Sequence, residues 1–215
     1  MIPKIIYMCY KDLKYIKIHS QNWARLNPEW EIKLYDDNLC AKFLLEEYSQ
    51  LHADIFNFIP DGPIKADFWR VCIINKYGGL YVDADIEPLV PLSEYIEKDI
   101  YFSTCISFNF NKNSDAWKFN PHFIMSANNN PILKNCIKYY VNYYKYNIDY
   151  SYVDWSICKF MDINDIKYKK SHIHYDEDGK KYQFLYELNG NDCEYNDRIV
   201  FHNRYPFYKD HNFIN

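Results

Sequence analysis

The 215-residue chain lacks any run of basic residues, and its formal net charge is −4. Nucleic-acid binding needs a positive footprint, so a nucleic-acid partner is not expected. No C-x-x-C occurs among the seven cysteines (Cys9, Cys40, Cys72, Cys105, Cys136, Cys158 and Cys193), and their number is odd. Neither a zinc site nor a disulfide framework is expected, and a reducing compartment fits this usage. No apolar stretch is long enough to span a membrane. A β-prone run beginning at Ile2 leaves no room for the charged and apolar regions of a signal peptide. These absences describe a soluble, cytoplasmic protein (in the host cytoplasm, were the source viral). Repeats, low-complexity tracts and linkers are missing too, so 1–215 is read as a single domain.

Aromatic residues are in excess: 20% of the chain, including 23 Tyr. Their faces suit sugar rings and bases, but most belong in the core, with Tyr hydroxyls reaching polar partners. Richness in Lys, Asn, Ile and Tyr points to an AT-rich genome, bacterial or that of a large DNA virus. Strands are expected at Ile2 to Cys9, Trp30 to Tyr35, Leu80 to Val82, Ile100 to Ile106, His122 to Ala127 and Arg198 to Phe201. Helices are expected at Tyr15 to Leu26, from Asp36 or Asp37 through Leu45, around Leu51 to Phe58, from Pro63 to the Gly78 stop, at Pro131 to Tyr144 and at Val153 to Phe160. His172 to Tyr175 and Lys181 to Leu188 flank Asp178-Gly179, a hairpin signal. Strands and helices alternate in the first half. An α/β fold is therefore predicted: a mixed, mainly parallel central sheet with helices on both faces, and antiparallel strands added by the second half.

The segment Lys65-Ala66-Asp67-Phe68-Trp69-Arg70, followed by Lys76-Tyr77-Gly78-Gly79-Leu80-Tyr81-Val82-Asp83-Ala84-Asp85, carries the chemistry. It reads as a helix with an apolar stripe of Ile64, Phe68, Val71 and Ile74, a left-handed glycine cap at Gly78, and a short buried strand. Two carboxylates one residue apart follow. In an extended segment they share a face, about 6 to 7 Å apart at Cα. Such a pair suits a hard divalent cation that also takes phosphate oxygens. A D-x-D alone equally describes a solvated loop. Asp67 and Arg70, three apart on one helix face, give the pair a context. They are either an ordinary surface ion pair or, if the helix packs beside the D-x-D strand, groups that hold a sugar or a phosphate.

At these residues the chain resembles the D-x-D glycosyltransferases of family 32, which include yeast initiating mannosyltransferase-like proteins and bacterial capsule enzymes. The catalytic domains of the clostridial glucosylating toxins are distant relatives. Three blocks carry the likeness over roughly the first ninety residues: Ile2-Pro3-Lys4-Ile5-Ile6; Trp23 through Asn27-Pro28-Glu29-Trp30-Glu31 with Leu34-Tyr35-Asp36-Asp37; and Ala66 to Asp85. The resemblance implies a GT-A type nucleotide-sugar-binding sandwich, with 1–90 as the donor half and 91–215 as the acceptor-side half. It implies a nucleotide-diphosphate sugar donor (a UDP-sugar ahead of a GDP-sugar), Mn²⁺ or Mg²⁺, a glycan or glycoprotein acceptor, and retention of anomeric configuration. By position, Asp85 is the main metal ligand. Asp83 contacts the ribose or sugar and also the metal, and Asp67 and Arg70 hold the donor sugar. Tyr10 falls near the base, or is simply a packed Tyr after the first strand. His202 falls where relatives place a late metal-site His, although Asn203-Arg204-Tyr205-Pro206 replaces the family's Ser-Trp. Arg204 or Lys209 could neutralise the diphosphate. Asn120-Pro121-His122-Phe123-Ile124 is similar to an acceptor-side segment, and Asp154-Trp155 stands where the family has a small-residue motif.

Two other readings remain at this point. A metal-independent glycoside hydrolase also uses paired carboxylates, but across the scissile bond rather than on one short segment. A non-catalytic carbohydrate-binding module would bind sugar without nucleotide.

Overall fold

The computed structural model describes residues 1–106, 119–146, 170–188 and 191–203. The helix expected at Val153 to Phe160, with Asp154 and Trp155, and the tail cations Arg204 and Lys209 lie outside the described residues. In chain order the elements are β1 (Ile5–Cys9), α1 (Leu13–Leu26), β2 (Glu31–Tyr35), α2 (Asp37–Glu47), α3 (Gln50–Phe58), α4 (Gly62–Tyr77), β3 (Gly79–Val82), β4 (Glu87–Pro88), a 3-10 turn (Leu92–Glu94), β5 (Ile100–Ile106), β6 (Phe119–Ser126), α5 (Pro131–Tyr146), β7 (His172–Tyr175), β8 (Lys181–Leu188), β9 (Asp192–Tyr195) and β10 (Arg198–His202).

One sheet runs β2-β1-β3-β6-β5-β8-β9-β10-β4, with β7 paired to β8 beside that path. β2, β1 and β3 are parallel, as their connecting helices require, and β5 and β8 are parallel as well. The remaining pairs are antiparallel. Alternation along each strand divides the core into two layers. Tyr7, Tyr81, Phe102, Ile124 and Phe184 face α2, α3, α4 and α5. Ile6, Met8, Leu80, Val82, Phe123 and Leu185 face the other way, onto α1 and the strands that curl around its side of the sheet. Helices thus cover both faces, as expected. The strands β4 and β9 were not anticipated, being too short to show a period.

The junction of α4 with β3 positions the site. Asp61 caps α4 by accepting from the Ile64 amide, and Pro63 sits in the first turn, where its missing N–H costs nothing. Gly78 ends the helix with φ +71° and ψ −175°. This is the extended positive-φ region open only to glycine, rather than the left-handed cap expected. Gly79 also has positive φ, and a Cβ there would stand 2.7 Å from the Ile5 carbonyl oxygen. Two glycines in succession therefore let β3 enter the sheet directly against β1.

Candidate active site

α4 is buried well beyond the expected stripe: Trp69, Arg70, Val71, Cys72, Ile73 and Ile74 are all inside. Arg70 therefore brings a charge into the interior, where it must be paired. Its Nη2 lies 2.9 Å from Asp67 Oδ1 and 3.1 Å from Asp83 Oδ1. The Asp67 and Asp83 side chains are only 13% and 29% exposed, so this is not the surface ion pair of the alternative reading. Nε of Arg70 donates to the Ala66 carbonyl at 3.2 Å. The guanidinium lies over the Tyr81 ring, 4.6 Å from its centroid. Burial works against the Arg70 charge. Asp83 first, then Tyr81 and Asp67, outweigh it and hold the guanidinium well above its ordinary value. Arg70 is a fixed cation at any working pH.

Tyr81 completes the network. It points toward α4 because Leu80 and Val82 face the opposite layer. Its hydroxyl donates to Asp83 Oδ1 at 2.6 Å and lies 3.7 Å from Cys9 Sγ. Burial raises its pKa well above the usual tyrosine value, so it remains a donor. Tyr81 was not singled out from the sequence. The signal was there, since a side chain two residues before Asp83 shares its face of the strand.

The D-x-D itself is not extended. The Asp83 amide still donates to the His122 carbonyl at 2.9 Å, continuing the ladder with β6, but the Ile86 amide then turns back onto the Asp83 carbonyl at 3.2 Å. The pair therefore occupies a tight turn, and the same-face strand geometry expected for Asp83 and Asp85 does not apply. The reason lies downstream. Ile86 returns to the core, and Glu87–Pro88 pair with β10, so the chain must reverse. Asp83 and Asp85 are both half-buried in this turn. Oδ1 of Asp83 is the oxygen that Arg70 and Tyr81 both use.

Two residues expected at the site from distant parts of the chain come to the same neighbourhood. His202 stands opposite Glu87 in the β4–β10 ladder, two residues from Asp85, and its Nδ1 is 2.6 Å from Asp192 Oδ1. Tyr10 follows β1, with its amide donating to the Tyr35 carbonyl at 3.0 Å. Its hydroxyl is pushed up to about 12 by burial and by Tyr15, Asp12 and Asp85 in turn, which sets Tyr10 in the field of the D-x-D turn. The short β4 that carries out this assembly left no trace in sequence periodicity.

Residues 14–103 match the family model described as a glycosyltransferase sugar-binding region containing the DXD motif. Over 104 residues the chain is 33% identical to an initiation-specific alpha-1,6-mannosyltransferase of Candida albicans, covering 44% of this chain and 27% of that protein. Over 108 residues it is 32% identical to a mannosyl phosphorylinositol ceramide synthase of Saccharomyces cerevisiae, covering 46% of this chain and 28% of that protein. The chain thus matches little more than a quarter of the length of these relatives. A solved structure titled PaToxG glycosyltransferase superposes with a TM-score of 0.45 at 19% identity, over 67% of this chain and 62% of that one. Residues 14–103 are thus similar to a D-x-D-containing sugar-binding region of glycosyltransferases. The described residues form a mixed α/β sheet with helices on both faces, and the D-x-D turn lies beyond the carboxyl end of β3. No helix among the described residues is long and apolar enough to cross a membrane.

Proposed function

We propose that this chain is a divalent-cation-dependent glycosyltransferase. It moves a hexose from a nucleoside-diphosphate sugar to a glycan or protein-linked glycan, with 1–215 acting as one catalytic unit. The observation that carries the reading is the buried network joining Asp67, Arg70 and Tyr81 to Asp83 at the D-x-D turn. A plain solvated turn does not need a guanidinium buried behind it.

By donor type the carboxylates suit a hard divalent cation, which would have to draw Asp83, Asp85 and His202 together, since their ligand atoms do not all lie within 4.8 Å of one another. Asp83 engages Arg70 and Tyr81 through Oδ1, Asp85 stands in the same turn, and His202 stands in β10 opposite Glu87 of β4. Asp83, Asp85 and His202 would hold Mn²⁺ or Mg²⁺, which when bound supplies positive charge against the diphosphate oxygens. Asp67 accepts hydrogen bonds from sugar hydroxyls and Arg70 fixes its orientation, so that the anomeric carbon meets the acceptor hydroxyl. Tyr10 offers its ring to the base.

The bond from the anomeric carbon to the diphosphate oxygen breaks as the acceptor oxygen bonds to that carbon from the same face. The acceptor proton passes to the leaving diphosphate oxygen, and configuration is retained. Asp67 and Asp83 are both engaged by Arg70, which suits them to positioning rather than to nucleophilic attack. The two relatives described above carry mannosyl names, which favours mannose as the sugar. The uridine donor expected from the sequence is therefore tested beside guanosine. The experiment is a screen of UDP- and GDP-sugars for Mn²⁺-dependent turnover, repeated with Asp85→Ala. Turnover that needs the cation and vanishes in the folded variant supports the reading. Turnover that survives EDTA returns it to a hydrolase, and sugar binding indifferent to nucleotide returns it to a binding module.

A further inference from the structure

We propose that Cys105, His122 and Cys193 form a second, buried cation site, selective for a soft divalent ion such as Zn²⁺, which pins the sheet behind the D-x-D turn. Among the described residues these three form a His/Cys/Asp/Glu group whose ligand atoms all lie within 4.8 Å of one another. Sequence spacing gave no hint of it, because the ligands come from β5, β6 and β9. Two irregularities bring them together. Between Thr104 and Cys105 the pairing partner on β6 jumps from Ile124 to Asn120, so that Pro121, His122 and Phe123 bulge out of the ladder. A second bulge on β10, between Ile199 and Phe201, sits directly across from Cys193. Bulges of this kind re-aim side chains and are kept where that matters.

The chemistry of the group is that of a cation site. The sulfurs of Cys105 and Cys193 are 3.0 Å apart and both are buried. Nε2 of His122 is buried with no hydrogen-bond partner. An unsatisfied imidazole nitrogen inside a protein is destabilising unless something binds it. Burial lowers the His122 pKa to about 4, against the pull of Glu187 and Asp83, so the ring is already the neutral form a metal takes. Burial raises both thiols. Binding therefore forms two metal–sulfur bonds and one metal–nitrogen bond and releases two protons to solvent. Two thiolates cancel the charge of a divalent ion, so the site adds no net charge to the core. Glu187, paired with Cys193 in the β8–β9 ladder, adds a negative field at all three ligands. Zn–S bonds of about 2.3 Å at a tetrahedral angle hold sulfurs about 3.8 Å apart, so the present gap opens by less than about 1 Å. Thiolate and imidazole select zinc over the hard cations that suit Asp83 and Asp85. The main-chain carbonyl of His122 holds the Asp83 amide, which couples this site to the turn.

The test is metal content of the protein purified with its thiols reduced, followed by replacement with Co²⁺. One zinc per chain is expected, with a thiolate-to-cobalt charge-transfer band in the cobalt form. Cys105→Ser, Cys193→Ser and His122→Gln should each take the metal from one per chain to none. Cys72→Ser, a buried cysteine outside the group, and Asp85→Asn should leave it in place. Retention in Asp85→Asn separates this site from the proposed donor site, so either can fail without the other. The cobalt spectrum of the unaltered protein is decisive even if a variant does not fold. A reduced protein that takes up neither ion, or one in which Cys105 and Cys193 are found as a disulfide, overturns the proposal.

Discussion

The Tyr81 hydroxyl donates a 2.6 Å hydrogen bond to Oδ1 of Asp83, the same oxygen that Arg70 holds at 3.1 Å. The first acidic residue of the D-x-D is therefore set in place by a strand neighbour and a helix neighbour before any ligand arrives. Pre-positioning of this kind raises turnover by removing reorganisation from the reacting state.

Tyr81→Phe keeps the ring under Arg70 and removes only the hydrogen bond. Such bonds to charged groups are worth about 1.5–3 kcal/mol. Donor turnover should fall by roughly tenfold or more, and the melting temperature should drop by several degrees. Steady-state kinetics beside a thermal melt checks this, and unchanged turnover would remove Tyr81 from the site.

Arg70→Ala leaves two largely buried carboxylates without their shared cation. Breaking a buried pair in this way costs about 3–5 kcal/mol, so the urea midpoint should drop sharply along with activity. Asp67→Asn keeps a hydrogen-bonding partner for Arg70 and should lose donor affinity with a smaller loss of stability.

Gly79→Ala places a Cβ 2.7 Å from the Ile5 carbonyl oxygen at φ +108°. Neither the clash nor the dihedral can relax without moving β3 from β1. A loss of more than about 1 kcal/mol is expected in denaturant unfolding, together with reduced turnover because β3 carries the D-x-D.

His52 lies stacked on Phe68 and bonded to Ser49 Oγ, and burial lowers its pKa below the ordinary value near 6.5. The unfolded chain thus takes up a proton before the folded one does, so stability falls as pH drops below about 6.5 toward the lowered folded pKa. His52→Phe should show a smaller drop in urea midpoint between pH 7.5 and pH 5.5 than the unaltered protein.

Much of this was legible in the sequence where local signals agree. Asp61, Pro63 and Gly78 bracket α4, and the structure sets its ends within a residue or two of them. The β7–β8 hairpin around Asp178-Gly179 has the bounds that its turn chemistry predicts. Legibility failed where tertiary packing decides. The D-x-D turns because Ile86 and β4 must fold back onto the core, which no short window of sequence records. Arg70 is buried because α4 is enclosed by α2, α3 and α5 together, whereas its apolar stripe suggested only one hidden face. The cysteine and histidine group depends on two bulges between strands far apart in the chain.

The most direct test of the central claim is calorimetric titration of the protein with UDP and GDP, with and without Mn²⁺, repeated on Asp85→Asn. The account predicts that one of the nucleotides binds only when the cation is present, and that binding is lost in the variant while its fold is kept. Binding that is indifferent to the cation, or unchanged in Asp85→Asn, would contradict it.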